Sequence, residues 1–149
     1  MNTYRVEESA VIAAPAARIY ALLADYRGGH PSILPARYFT GATVTKGGQG
    51  AGTELTVTMN VYGSQATYQM KVSEPEPGRV LQEEAAAAGV LTTFTVDALS
   101  AAQARVTIAT TTRSRSGLKG WLEKLTTPGI MRRIYRKELA QLAQVAARA

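Results

Sequence analysis

The chain has no cysteine, a single histidine and a single tryptophan among its 149 residues. Without cysteine there can be no disulfide, no thiolate nucleophile and no cysteine-ligated metal, and one histidine leaves too few imidazole ligands for a transition-metal centre. No metal and no cofactor is therefore expected. No apolar run is long enough to cross a bilayer, and Met1 to Glu8 lack the hydrophobic stretch of a signal peptide, so the expected location is cytoplasmic. Also missing are a nucleotide-binding fingerprint, a Ser-His-Asp order and paired catalytic carboxylates in recognisable form. Hydrophobic residues make up 46% and charged residues 19%, the balance of a folded globular protein, and the length suits one domain spanning 1–149.

The net charge of +6 is unevenly placed. From Arg113 onward nine Lys or Arg face only Glu123 and Glu138, a local +7, so the first 112 residues sum to −1. A solvated helix face accounts for such charge, and it also leaves open peripheral contact with an anionic membrane or a partner protein. No recognition-helix or basic-aromatic strand motif accompanies it, so nucleic acid is not expected as a partner.

The last third organises the rest. Neither proline nor glycine follows Pro128 and Gly129, and Pro128 suits a first helical turn, so a short helix and then a long one are expected from Gly117 to the C-terminus. At 100° per residue Met131, Ile134, Tyr135, Leu139, Leu142, Val145 and Ala146 form one apolar stripe, with Arg132, Arg133, Arg136 and Lys137 elsewhere. Upstream, Tyr4 to Ala13 reads as a strand, Ala16 to Ala24 as a helix, and 25–35 as a turn-rich lid holding one short helix. Strands follow at Tyr38 to Thr45, Glu54 to Val61, Gln65 to Val72, Val80 to Glu84, Val90 to Val96 and Ala104 to Thr112. The glycine-rich Lys46 to Gly52 joins strand to strand and reads as a plain turn rather than a phosphate loop; Pro75 and Pro77-Gly78 break the sheet, and Ala85 to Ala88 reads as a loose turn. The fold class expected is α+β: a curved antiparallel sheet of about seven strands wrapped around a long C-terminal helix, with two short helices between the first two strands.

This order, with the words Ile12-Ala13-Ala14-Pro15, Arg18 to Tyr26, Gly47 to Thr53 and Glu74 to Arg79, resembles the START-related helix-grip superfamily, including polyketide cyclase/dehydrase-like and lipid-transfer-like proteins. The resemblance covers nearly the whole chain. It implies a cavity between the concave sheet and the long helix, used for apolar or aromatic ligands and in some members for catalysis. Fold alone does not assign the function.

On that architecture the ligand-binding lining is expected from Leu55, Val57, Met59, Tyr68, Met70, Thr92, Phe94, Val96, Ile108 and Thr110 of the strands. The helices and lid would add Leu23, Tyr26, Ile33, Leu34, Met131, Tyr135, Glu138, Leu139 and Leu142, with Asp25 and Tyr26 at the mouth unless Asp25 serves as a cap. Filling the core is the alternative for each of them. Glu138 lies inside the apolar stripe, where a carboxylate has no obvious reason to be. Either the sheet opens there and Glu138 reaches Arg113, Arg115 or solvent, or it faces the ligand as an anchor or as an acid/base group with a raised pKa. His30, in the lid, reads first as a surface residue, since catalysis would require an orienting partner. Trp121 with Leu118, Leu122 and Leu125 forms a second apolar stripe. The leading expectation is a carrier or sensor of a small hydrophobic ligand, lipid-like, polyketide-like or aromatic, and acidic ligands are included. The alternatives are a cyclase, aromatase or dehydratase using Glu138, Tyr135, Tyr68 or His30, and a quinone-binding-like interaction module.

Overall fold

The computed structural model describes residues 3–113 and 118–148, with side chains described outside 118–127. In chain order the elements are β1 (Thr3–Ile12), α1 (Ala16–Ala24), α2 (Gly29–Ile33), β2 (Phe39–Lys46), β3 (Glu54–Val61), β4 (Ser64–Glu76), β5 (Val80–Ala85), β6 (Val90–Ser100), β7 (Gln103–Arg113) and α3 (Leu118–Arg148). All seven strands form one antiparallel sheet, ordered β1-β7-β6-β5-β4-β3-β2. This is the helix-grip α+β fold, with α3 packed on α1, α2 and β1 across the sheet.

Strand alternation decides which face turns to the helix. On β1, Val6 and Ile12 are buried; on β3, Leu55 and Val57; on β4, Val72; on β5, Leu81, Glu83 and Ala85. The stripe of α3 contributes Ile134, Leu139, Leu142 and Ala146, which are buried, while Arg132, Arg133, Arg136 and Lys137 are exposed. The shared core joins Ile19 and Leu23 of α1 to Phe94, Val96, Val106, Ile108, Leu139 and Leu142.

Three local expectations change. The short and long C-terminal helices are assigned as one, with Pro128 inside it: a proline removes one backbone donor, and the helix carries through. Pro75 does not end its strand; β4 runs to Glu76, and the register breaks between Ser73 and Glu76, where a missing N–H is tolerated. Ala86–Ala88 form a single 3-10 turn rather than a loose one, closed by Gly89 at φ 69°. The stripe around Trp121 lies outside the described side chains.

The glycine turn after β2 does more than reverse the chain. The Gly48 carbonyl accepts the Tyr26 N–H, and the Gly50 N–H donates to the Ala24 carbonyl, both at 2.9 Å, which docks the end of α1. A Cβ at Gly50 would meet the Glu74 carboxylate, which accepts the Ala51 N–H at 2.8 Å, and φ is +51° there, so glycine suits this close approach.

Candidate functional site

Between the sheet and α3 lies a cavity of about 1500 Å³. Its walls are mostly apolar: Leu55, Val57 and Met59 from β3, Tyr68 and Met70 from β4, Phe94 from β6, and Ile130, Met131 and Ile134 from α3. Exposed lining residues, Ser64 and Gln65 at the β3–β4 tip, Ala87, Ala88 and Arg113, mark the open side. At the other end the lining is buried and polar, made of His30, Glu83, Thr92 and Glu138.

His30 reaches this floor because Asp25 shapes the chain before it. The Asp25 carboxylate accepts the backbone N–H groups of Arg27, Gly28 and Gly29 at 3.2, 3.2 and 3.0 Å, which cap the turn into α2. The bond from Gly29 contributes most to holding that carboxyl below the usual range. The His30 ring then packs face to face on Tyr26, centroids 4.6 Å apart, and edge-on to Phe94 at 5.2 Å. Its Nδ1 lies 2.7 Å from the Leu23 carbonyl, which can only accept, so Nδ1 carries a proton. Nε2 is then left facing Glu83 Oε2 at 3.5 Å, and Tyr26 donates its hydroxyl to the same oxygen at 2.7 Å. The Nε2–Glu83 contact is attractive only when one proton is held between the two groups, on the imidazole or on the carboxyl.

Glu138, one turn beyond Ile134 on α3, is 3% exposed and has no hydrogen-bond or ion-pair partner among the described residues. Burial, and secondarily the neighbouring Glu83, raise its carboxyl well above the ordinary value, so it is held as a neutral acid. Tyr135 joins the same end: its hydroxyl hydrogen-bonds Thr110, whose own hydroxyl meets Thr92 at 2.8 Å. Burial raises the Tyr135 phenol too, so these hydroxyls serve as hydrogen-bonding groups rather than anions. Among the described residues no group of three His, Asp or Glu is placed to hold a metal, and no helix is long and apolar enough to cross a membrane.

A family model described as polyketide cyclase / dehydrase and lipid transport matches residues 3–147. The chain belongs to this family. Among solved structures, this cyclase/dehydrase-like chain is similar to the KanY protein at 26% identity and TM-score 0.84, covering 99% of each chain. It is also similar to the Zhui aromatase/cyclase of a Streptomyces strain at 18% identity and TM-score 0.80, covering 99% of this chain and 95% of that one. Norcoclaurine synthase of Thalictrum flavum, solved with dopamine and hydroxybenzaldehyde, matches at 16% identity and TM-score 0.71, covering 99% and 88%. The likeness to these last two concerns the fold. A search of curated proteins finds no match.

Of the lining residues expected from the sequence, Leu34, Leu55, Val57, Met59, Tyr68, Met70, Thr92, Phe94, Met131, Tyr135 and Glu138 border the cavity of this family member. Leu23, Tyr26, Ile33, Val96, Ile108, Thr110, Leu139 and Leu142 do not: each is buried behind the wall. All but Thr110 belong to the core cluster shared by the sheet, α1, α2 and α3, which fills the space at that end, and Thr110 hydrogen-bonds Thr92 and Tyr135. Asp25 is a cap, not a mouth residue, and His30 is 4% exposed rather than on the surface. Arg113 does not reach Glu138; its guanidinium donates to the Ala86 carbonyl at 3.1 Å. Arg136, off the apolar stripe as expected and exposed, pairs with Glu8 at 3.0 Å. Glu83 escaped the sequence reading, although its parity with Leu81 and Ala85 on β5 was the available signal.

Proposed function

We propose that this chain binds a small, largely apolar molecule with a few oxygen functions, polyketide-like or aromatic, inside the cavity between the sheet and α3. The observation that carries the reading is an apolar chamber of about 1500 Å³ whose buried end presents Glu138 without a partner among the described residues. A buried carboxyl group lacking a hydrogen bond costs free energy, and a ligand oxygen placed against it recovers that loss. Apolar walls with a few convergent polar groups are the usual make-up of a small-molecule site. Native mass spectrometry followed by solvent extraction tests it: a stoichiometric apolar passenger is expected. A chain that carries nothing and also leaves the fluorescence of phenylnaphthylamine unchanged would sink the reading.

Acid–base catalysis on that ligand, of the cyclase or dehydratase kind, is the second reading, favoured by two groups at the floor. Glu138, held neutral, can hydrogen-bond a ketone and deliver a proton to it. The His30–Glu83 pair, oriented by Leu23 and Tyr26, can take a proton from the adjacent carbon, the step that precedes ring closure or loss of water. Deuterium exchange next to the carbonyl of a model diketone should fall about 10²-fold or more in Glu138→Gln and in His30→Gln. Exchange at the unmodified rate in both would remove this reading and leave binding intact.

A further inference from the structure

Two carboxyls share the buried end of the cavity, Glu83 from β5 and Glu138 from α3. Burial first, and then the charge of Glu83, raise the Glu138 carboxyl above its ordinary value, so the two groups lie within electrostatic reach of each other. Among the described lining residues the single Lys or Arg is Arg113, which is exposed and belongs to the open side. The groups around the pair are His30 from α2, Tyr135 on α3, and Thr92 and Phe94 from β6. None of them sets a fixed positive charge against Glu138, and His30 is committed to Leu23 and Glu83.

The two carboxyls are satisfied unequally. Glu83 accepts the Tyr26 hydroxyl at 2.7 Å and faces His30 Nε2 at 3.5 Å. Glu138, 3% exposed, lines the cavity with no hydrogen-bond or ion-pair partner among the described residues. Neutral hydroxyls for meeting a ligand oxygen are already present at this end in Thr92 and Tyr135, and a hydroxyl is less costly to bury than an ionisable group. A carboxyl differs from them in that it can give up its proton and become an anion. The ligand group that gains most from this is a cation with N–H donors, because a charge-assisted hydrogen bond is about twice as strong as a neutral one. An ammonium has donors enough to reach both carboxyls.

We infer that the ligand carries one basic nitrogen, a primary or secondary amine whose ammonium rests on the floor between Glu138 and Glu83 while its apolar body runs along Leu55, Val57, Met59 and Met70. The inference rests on the binding reading above and adds the nitrogen to the class of ligand given there. Binding exchanges one cation for another: the O–H bond of the Glu138 carboxyl breaks, its proton passes to the buffer, and the ammonium takes its place. The new carboxylate and the ammonium cancel, so the floor gains no net charge. An anionic ligand meets the opposite situation, two carboxyls and no cation beside them.

Two probes with the same ring system test this: naphthylmethylamine, a cation near neutral pH, and naphthylmethanol, which is neutral. Each is titrated by calorimetry into the full chain in phosphate and in Tris, whose different heats of ionisation report protons released on binding. The amine should bind about 10-fold or more tightly than the alcohol and release about one proton per molecule bound. Glu138→Gln keeps the side chain's size but cannot ionise, and should bring the amine to the alcohol's affinity and abolish the proton release. Circular dichroism and phenylnaphthylamine fluorescence report whether that variant is folded with its cavity open, and proton release by the unmodified chain decides the matter if it is not. Alcohol bound as tightly as the amine, or phenylnaphthylamine bound and the amine not, would overturn the amine and leave the cavity reading standing. A tighter amine that releases no proton, or that keeps its advantage in Glu138→Gln, would overturn it too, because the ammonium would then sit elsewhere. Failure of all three molecules to bind would take the cavity reading down with it.

Discussion

The cavity floor and the cation cluster around Tyr38 and Tyr62 handle charge in opposite ways. At the floor, Glu83 is tied to Tyr26 and His30, and Glu138 is kept neutral by burial, so every ionisable group there is either partnered or suppressed. On the outer surface, Arg37, Arg133 and Lys137 are exposed to water and lie against the Tyr38 and Tyr62 side chains rather than against carboxylates. The same type of interaction is therefore worth different amounts in the two places. In the low-dielectric floor a lost partner strands a polar group; on the wet surface it is replaced by water.

Substitutions can sharpen or break this contrast, and the largest effect is expected at Glu83. Glu83→Leu leaves the buried Tyr26 hydroxyl and His30 Nε2 without their acceptor and should destabilise the fold by about 3 kcal/mol in urea titrations. A loss below about 0.5 kcal/mol would mean that the floor is open to water. Glu138→Leu should act in the opposite direction, stabilising by about 2 kcal/mol near neutral pH by removing a buried carboxyl that lacks a partner among the described residues.

The pH dependence of that gain follows from the proton. Because the folded value of Glu138 is raised above the ordinary 4.5, the unfolded chain releases its proton first. The stability contributed by the protonated group is full below 4.5 and declines as pH rises towards the folded value, by up to about 1.4 kcal/mol per pH unit. Glu138→Gln should remove this component of the slope, seen as unfolding midpoints that drift less between acid and neutral pH. An unchanged slope would mean that the carboxylate is solvated.

Smaller effects lie further out. Asp25→Ala removes the acceptor for three backbone N–H groups and should cost about 1 kcal/mol, with the His30 ring signals shifting in NMR spectra as α2 loosens. Arg133→Gln should change stability by no more than about 0.5 kcal/mol, since water replaces what the guanidinium loses. If it proved as costly as Glu83→Leu, the surface cluster would be a structural element and the contrast would collapse.

How much of this was legible beforehand follows the range of the forces involved. The alternation in β3 and β4 and the stripe on α3 are local periodicities, so the walls from Leu55 to Met70 and the anomalous place of Glu138 could be read one residue at a time. Tyr68 and Tyr135 followed in the same way. Parity could not separate wall from core: Ile108 and Met59 both point inward, and only the packing of the helices decides which of them meets open space.

The sequence by itself determined the order of elements, their inward faces and the concentration of positive charge after Arg113, because these depend on neighbours within one helical turn or one strand pair. Tertiary structure alone decided the floor and the cation cluster around Tyr62. Tyr26 and Glu83 stand 57 residues apart in the chain, and Arg133 and Tyr62 stand 71 apart. No local pattern records such distances; they arise when the sheet curls around α3, which buries one set of ionisable groups, partnered or shifted towards the neutral form, and leaves the other in water.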